Sequence, residues 1–166
     1  DQLGQAAGLA SAGDHDAAQR LSDPLRPRLE AESNPLVACE LWDLQAQIDH
    51  YTHRPLDCLR STARLLDVAR SAGHVQAELD ALGTLTGLHD LLGRGTDAVA
   101  TGRAARTLHR RLGDSLSARA QDLNLAYALL GSGHFGEALD LLESALAYAR
   151  RTAPASLLSE GCQDML

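Results

Sequence analysis

The sequence repeats its own punctuation. A turn closes one apolar helical stretch and opens the next, and it recurs about every forty residues: "SAGDHDAA" at Gly13, "THRPLDCL" at His53 and Pro55, "GRGTDAV" at Gly93 and Gly95, and "GSGHFGEAL" at Gly133. Gly13 and Gly133 stand three such periods apart. Self-similarity at a fixed spacing marks an array whose units bury their apolar faces against one another. A chain so built stacks as a solenoid rather than wrapping one central core. The register runs on into the following helix. Ala17, Asp57, Asp97 and Glu137 are small or acidic, and Ala18, Cys58, Ala98 and Ala138 are all small, which lets two helices close up.

A second series has the same period: Asn34, His74, Asp114 and Pro154. Asn34 suits an N-cap, and Pro35 suits the first helical position, where its missing N–H costs nothing. Gly73 and Gly113 suit the left-handed residue that ends a helix. The two series predict first helices near 2–11, 35–51, 75–92 and 115–131, and second helices near 15–32, 55–71, 97–112 and 135–151. The pairs then span 2–32, 35–72, 75–112 and 115–151 as one repeat domain, and a further helix begins near 155. Pro24 and Pro27 predict a kink or break after Leu21. In the third pair the spacing of "LLGRG" and "DAV" predicts a two-residue slip, with Gly95 as the structural glycine.

Composition agrees. The chain is 45% hydrophobic but only 3% aromatic, its bulk being Leu and Ala, so an all-α fold is expected and a sheet is not. All 15 basic residues are arginine, as a high-GC genome would encode. The net charge of −7 argues against direct nucleic-acid binding, which needs concentrated basic surface. Arg103, Arg106 and Arg110 share a helix face, with Arg111 beside them, and read as a solvated outer face. Cys39, Cys58 and Cys162 form no C-x-x-C pair and read as free thiols of a cytoplasmic protein. Cys58 reads as packing in a tight helix contact, not as a nucleophile. No apolar run is long enough for a membrane span. The chain starts at Asp1 with its one Met at 165, and reads as a fragment of a longer protein.

Residues 119–152, "RAQDLNLAYALLGSGHFGEALDLLESALAYARRT", resemble a tetratricopeptide repeat (TPR). Asn124-Leu125-Ala126 stands at that family's x-Leu-Gly step, Gly133 and Phe135 at its turn, and Ala138 and Ala145 at the small positions of its second helix. Trp42 and Ala46 match the family's Trp and small residue in the second repeat. The chain departs from the family in its period, which is 40 rather than 34, in Asp122 where an aromatic is usual, and in Arg150 where Pro is usual. The longer period is similar to the helical-repeat region of large bacterial ATP-binding, LuxR-type regulators of the maltose-activator class. The resemblance implies a right-handed superhelix of antiparallel pairs. It also implies a segment of a cytoplasmic transcriptional regulator whose ATP- and DNA-binding modules lie outside these residues.

In such an array the first helices line the concave face. Gln47, His50, Tyr51, His89, Tyr127 and Leu130 are the candidate binding residues, a mixture of amide, imidazole, aromatic and apolar groups. The structural positions are Gly13, Ala18, Trp42, Cys58, Gly95, Ala98, Gly133 and Ala138. The family's carboxylate-gripping positions fall on Glu40, Leu44, Leu82, Thr86, Ala120 and Asn124, of which only Asn124 fits, so a chaperone-adaptor role is not expected. His15, His53 and His134 sit at equivalent elbows about 10 Å apart, the helix-packing distance, which is too far for one zinc ion. No catalytic motif is present, and neither cofactor nor metal is expected. The expected function is a non-enzymatic sensor or coupling segment that takes a protein or peptide partner, or a small-molecule effector, with self-association through the array's ends or its concave face. A general protein-interaction scaffold is the alternative, and a helical enzyme is a third reading.

Overall fold

The computed structural model describes residues 2–113 and 115–152. Among these residues it is helical throughout, with no strand. The elements are α1 (Gln2–Ser11), α2 (His15–Ser22), a 3-10 turn (Asp23–Leu25), α3 (Arg26–Ala31), α4 (Pro35–Tyr51), α5 (Pro55–Ala72), α6 (Val75–Leu91), α7 (Gly95–Leu112), α8 (Ser115–Gly131) and α9 (Phe135–Thr152). The start expected near 155 lies outside the described residues, as does Cys162.

The period is forty residues, and the third pair does not slip. Second helices begin at His15, Pro55, Gly95 and Phe135. The turn before each carries a positive φ at Gly13 (88°), His53 (57°), Gly93 (70°) and Gly133 (78°). The turn glycine of the third pair is therefore Gly93, and Gly95 is already helical, two residues before the expected start. Gly95 is small for a different reason: a Cβ there would run into the Ser132 hydroxyl, because the start of α7 lies against the end of α8.

The break expected at the prolines is present. α2 ends at Ser22, and the chain passes through one 3-10 turn before α3. Pro24 and Pro27 occupy first-turn positions of the two short segments that follow, where a missing N–H is tolerated.

α1 packs on α2, from α4 onward each helix packs on the next in sequence, and the first helices also meet, α1 on α4 and α6 on α8. α4 and α6 scarcely touch. The register supplies the reason. Where α6 presents Gly83 towards α8, with Gly87 open one turn on, α4 presents Asp43 and Gln47 towards α6. Gly83 admits a neighbour: the side-chain amide of Gln121 lies 2.5 Å from where its Cβ would be. The larger polar pair holds its neighbour off.

The buried layer repeats as well. Ala18, Ala98 and Ala138 are fully buried, and Cys58 is 1% exposed, its thiol donating to the Ala46 carbonyl at 3.4 Å. Trp42 is buried with Arg64 over its ring, 5.9 Å from the centroid. One register step along stands buried Leu82, and one further Asp122, which is also buried and ion-paired to Arg106 at 2.6 Å. The charge that replaces the apolar residue is thus matched from α7.

Candidate functional site

Register partners on stacked helices stand side by side, so the exposed face of α4, α6 and α8 can be read in rows. One row is Gln47, Gly87 and Tyr127, and a second is His50, Asp90 and Leu130. A third is Tyr51, Leu91 and Gly131, and a fourth is Asp43, Gly83 and Leu123. Five of the six candidate residues lie on this face. Gln47 is exposed and donates to Asp43 at 2.8 Å. His50 is exposed, and its ring meets that of Tyr51 edge to face at 5.6 Å. Tyr51, Tyr127 and Leu130 are exposed too, Tyr127 by 59%.

His89 is the exception. Its register partners are Asp49 and Leu129, both fully buried. The ring turns towards α7, with Nδ1 4.0 Å from the Asp97 carboxylate and no hydrogen-bond partner. Burial outweighs Asp97 and, with Arg94, lowers its pKa below the ordinary 6.5. His89 belongs to the joint between the helices of its pair and not to the outer face.

The face changes character along its length. On α8 it is apolar, with Leu123, Tyr127 and Leu130 all exposed, and exposed Leu91 lies beside them on α6. At the α4–α6 gap it is polar and acidic. Asp43 faces Asp80 there, and burial and that like charge raise the Asp43 carboxyl against the hydrogen bond from Gln47. At Gly87 nothing lies within 4 Å of a Cβ position, so the face dips between Gln47 and Tyr127. Leu91, Leu123 and the glycine dip were not among the expected site residues. Stepping forty residues from Tyr51 and Tyr127 would have found Leu91 and Gly87.

Other expectations are revised. Arg103 reaches Glu137 on α9 at 2.6 Å, and Arg106 turns into the α7–α8 joint, so the arginine stripe is not simply a solvated face. The His15 and His53 rings meet edge to face at 5.4 Å, closer than the expected elbow spacing. Among the described residues no group of three His, Cys, Asp or Glu could hold a metal ion. Cys39 and Cys58 are free and buried, and burial raises both thiols. No helix among these residues is long and apolar enough to cross a membrane.

No protein-family model and no curated protein matches the sequence. The fold does match a crystal structure of nearly identical TPR-like repeats described as from a kinesin light chain of Podosopora anserina. The TM-score is 0.76 at 15% identity, over 93% of this chain and 76% of that one. The fold is TPR-like. It is an all-α superhelix of antiparallel helix pairs, here with a forty-residue period.

Proposed function

We propose that this chain is a non-enzymatic protein-interaction segment that takes a protein or peptide partner on the exposed face of α4, α6 and α8. The observation that carries the reading is the row Gln47–Gly87–Tyr127 with its apolar flank. Leu91 and Tyr127 are 72% and 59% exposed, and Leu123 and Leu130 are exposed with Tyr127 on α8. A contiguous apolar patch rimmed by polar groups marks an interaction site, whereas isolated exposed leucines need no explanation. The acidic rim at Asp43, Asp80 and Asp90 favours a partner segment that carries arginine or lysine beside its apolar anchors.

The forty-residue period supports a place within a larger cytoplasmic LuxR-type regulator, in which partner or effector binding biases the array's shape. Coupling of that kind needs a ligand with different affinities for two shapes. A Walker motif before residue 1 and a helix-turn-helix after residue 166 in the encoding gene are the expected flanks. Their absence leaves the interaction scaffold and removes the regulator.

The interaction reading is tested on arrays of peptides that pair arginine with leucine or phenylalanine. Peptides retained by the native chain should be lost on Tyr127→Ser and on Leu123→Ser, with helical circular dichroism unchanged. Retention by both variants would place binding elsewhere.

A further inference from the structure

A cleft of about 410 Å³ lies between α6 and α7, with Leu82, Ala104 and Leu108 as its apolar lining and Glu78, Arg103, Thr107 and Arg111 around them. Glu78 and Leu82 lie roughly opposite Gly83 and Gly87 on α6, so the cleft is separate from the partner face. The neighbouring pair shows what this place normally holds. One register step back, Leu82 is Trp42 and Ala104 is Arg64, and there the guanidinium lies over the indole ring. The third pair keeps the same helices in the same register but replaces the ring with a leucine and the arginine with an alanine. The space left open has the lining of an aromatic slot.

The rim has changed in the complementary sense. Ala63 and Ser71 of α5 become Arg103 and Arg111 of α7, two turns apart on one side of the helix. Glu78 is already paired with Arg70 at 2.9 Å, and Arg103 with Glu137. Arg111 makes no ion pair among the described residues. An apolar slot with an uncommitted guanidinium at its mouth fits a flat ring that carries its own negative charge. We infer that the α6–α7 cleft is a binding site for a small aromatic carboxylate, its ring taking the place that Trp42 fills in the preceding pair and its carboxylate meeting Arg111.

Isothermal titration of the whole chain with indole-3-acetate, and with the neutral indole-3-acetamide, tests this. The acid should bind saturably and about fivefold more tightly than the amide, a modest ratio because the guanidinium is at the surface. Leu82→Trp and Ala104→Arg, which copy the neighbouring pair and so retain the fold, should each abolish binding of both probes. Arg111→Gln should leave the amide's affinity unchanged and remove the acid's advantage. The absence of saturable binding up to about 10 mM, a limit weaker than any useful affinity, overturns the proposal. So does undiminished binding to Leu82→Trp, or an acid-to-amide ratio unchanged by Arg111→Gln.

Discussion

Arg26 sets its guanidinium 2.5 Å from the carboxylate of Asp49, a fully buried side chain on α4. It can do so because the helix carrying it is broken. Pro24 and Pro27 turn α3 away from the line of α2, and Asp23 in the turn pairs with Arg54 at 3.1 Å. Asp49 also accepts from Ser61 at 2.7 Å and from Gln45 at 3.1 Å. The irregular first pair is thus pinned to the regular second by a buried network. Removing Arg26 leaves the buried carboxylate with Ser61, Gln45 and only the more distant guanidinium of Arg54 at 3.9 Å, so Arg26→Met should cost about 2–3 kcal/mol in urea unfolding at pH 7. With Asp49→Asn already present, the amide keeps hydrogen-bonding geometry without the charge, and the same change should cost about 0.5–1 kcal/mol. Equal costs in the two backgrounds would show that the guanidinium acts by packing alone.

The same carboxylate gives a pH signature. Burial raises the Asp49 carboxyl above its ordinary 3.8, against the pull of Ser61, Arg26 and Gln45. The folded chain therefore holds this proton where the unfolded chain has released it. Its contribution falls as pH climbs from about 3.8 through the folded-state value, because the native state then binds more protons. Asp49→Asn should remove that downward component from a stability profile measured over this range. A profile unchanged by the substitution would show that Asp49 ionises in the fold as freely as in the unfolded chain.

His89 acts in the opposite sense. Its pKa is lowered chiefly by burial, so the fold favours the neutral ring. The unfolded chain takes up a proton first, and stability present above about 6.5 is lost as pH falls from there through the lower folded-state value. The ring also leaves Nδ1 buried without a hydrogen bond, where the register partner in the next pair is leucine. His89→Leu should therefore raise stability by about 1 kcal/mol at pH 7.5 and by more at pH 5.5. A variant that loses as much melting temperature between those two values as the native chain would refute the assignment.

His89 also shows how far the sequence could be read. The turn glycines and the small residues at 18, 58, 98 and 138 gave the period, because they answer to local backbone and packing rules that repeat. Placing residues on a face needs the phase of each helix as well. His50 and His89 look alike in sequence, but they stand 39 residues apart rather than 40, and that one-residue difference turns a side chain by about 100°. The apparent slip at Gly95 came from reading a glycine as a turn when contact with Ser132 had selected it. The α6–α7 cleft was open to register comparison alone, since Trp42 and Leu82 are partners. That Arg64 covers Trp42 required the structure.

The elbows offer a test of the backbone. Three of the four left-handed turn positions are glycine, and the fourth is His53, with φ at 57°. A side chain pays a steric penalty in that region, although histidine tolerates it better than most residues. His53→Gly should stabilise the chain by about 0.5 kcal/mol after loss of the ring contact with His15. Gly93→Ala should destabilise it by about 1 kcal/mol. Gly95→Ala should also destabilise, for a different reason, and Ser132→Ala should relieve it by removing the hydroxyl that its Cβ meets. Thermal melts of these variants separate the two glycines, because Ser132→Ala cannot rescue Gly93→Ala.

Trp42 provides the converse of the cleft argument. It is buried and capped by Arg64, and its pair has no arginine at the positions equivalent to Arg103 and Arg111. Trp42→Leu with Arg64→Ala should open a second cleft resembling the first, but with no arginine on its rim and with Asp67 where Thr107 stands. The loss of a buried indole should cost about 3 kcal/mol, visible as a lower urea midpoint with an unchanged slope. The two clefts should then differ in what they accept. The new one should take indole-3-acetamide at least as readily as indole-3-acetate, since no guanidinium stands at its mouth to favour the acid and Asp67 repels it. Calorimetry of this double variant on an Ala104→Arg background, where the native cleft is filled, isolates the second site. A preference for the acid there would mean that charge selectivity comes from the helix framework and not from Arg111.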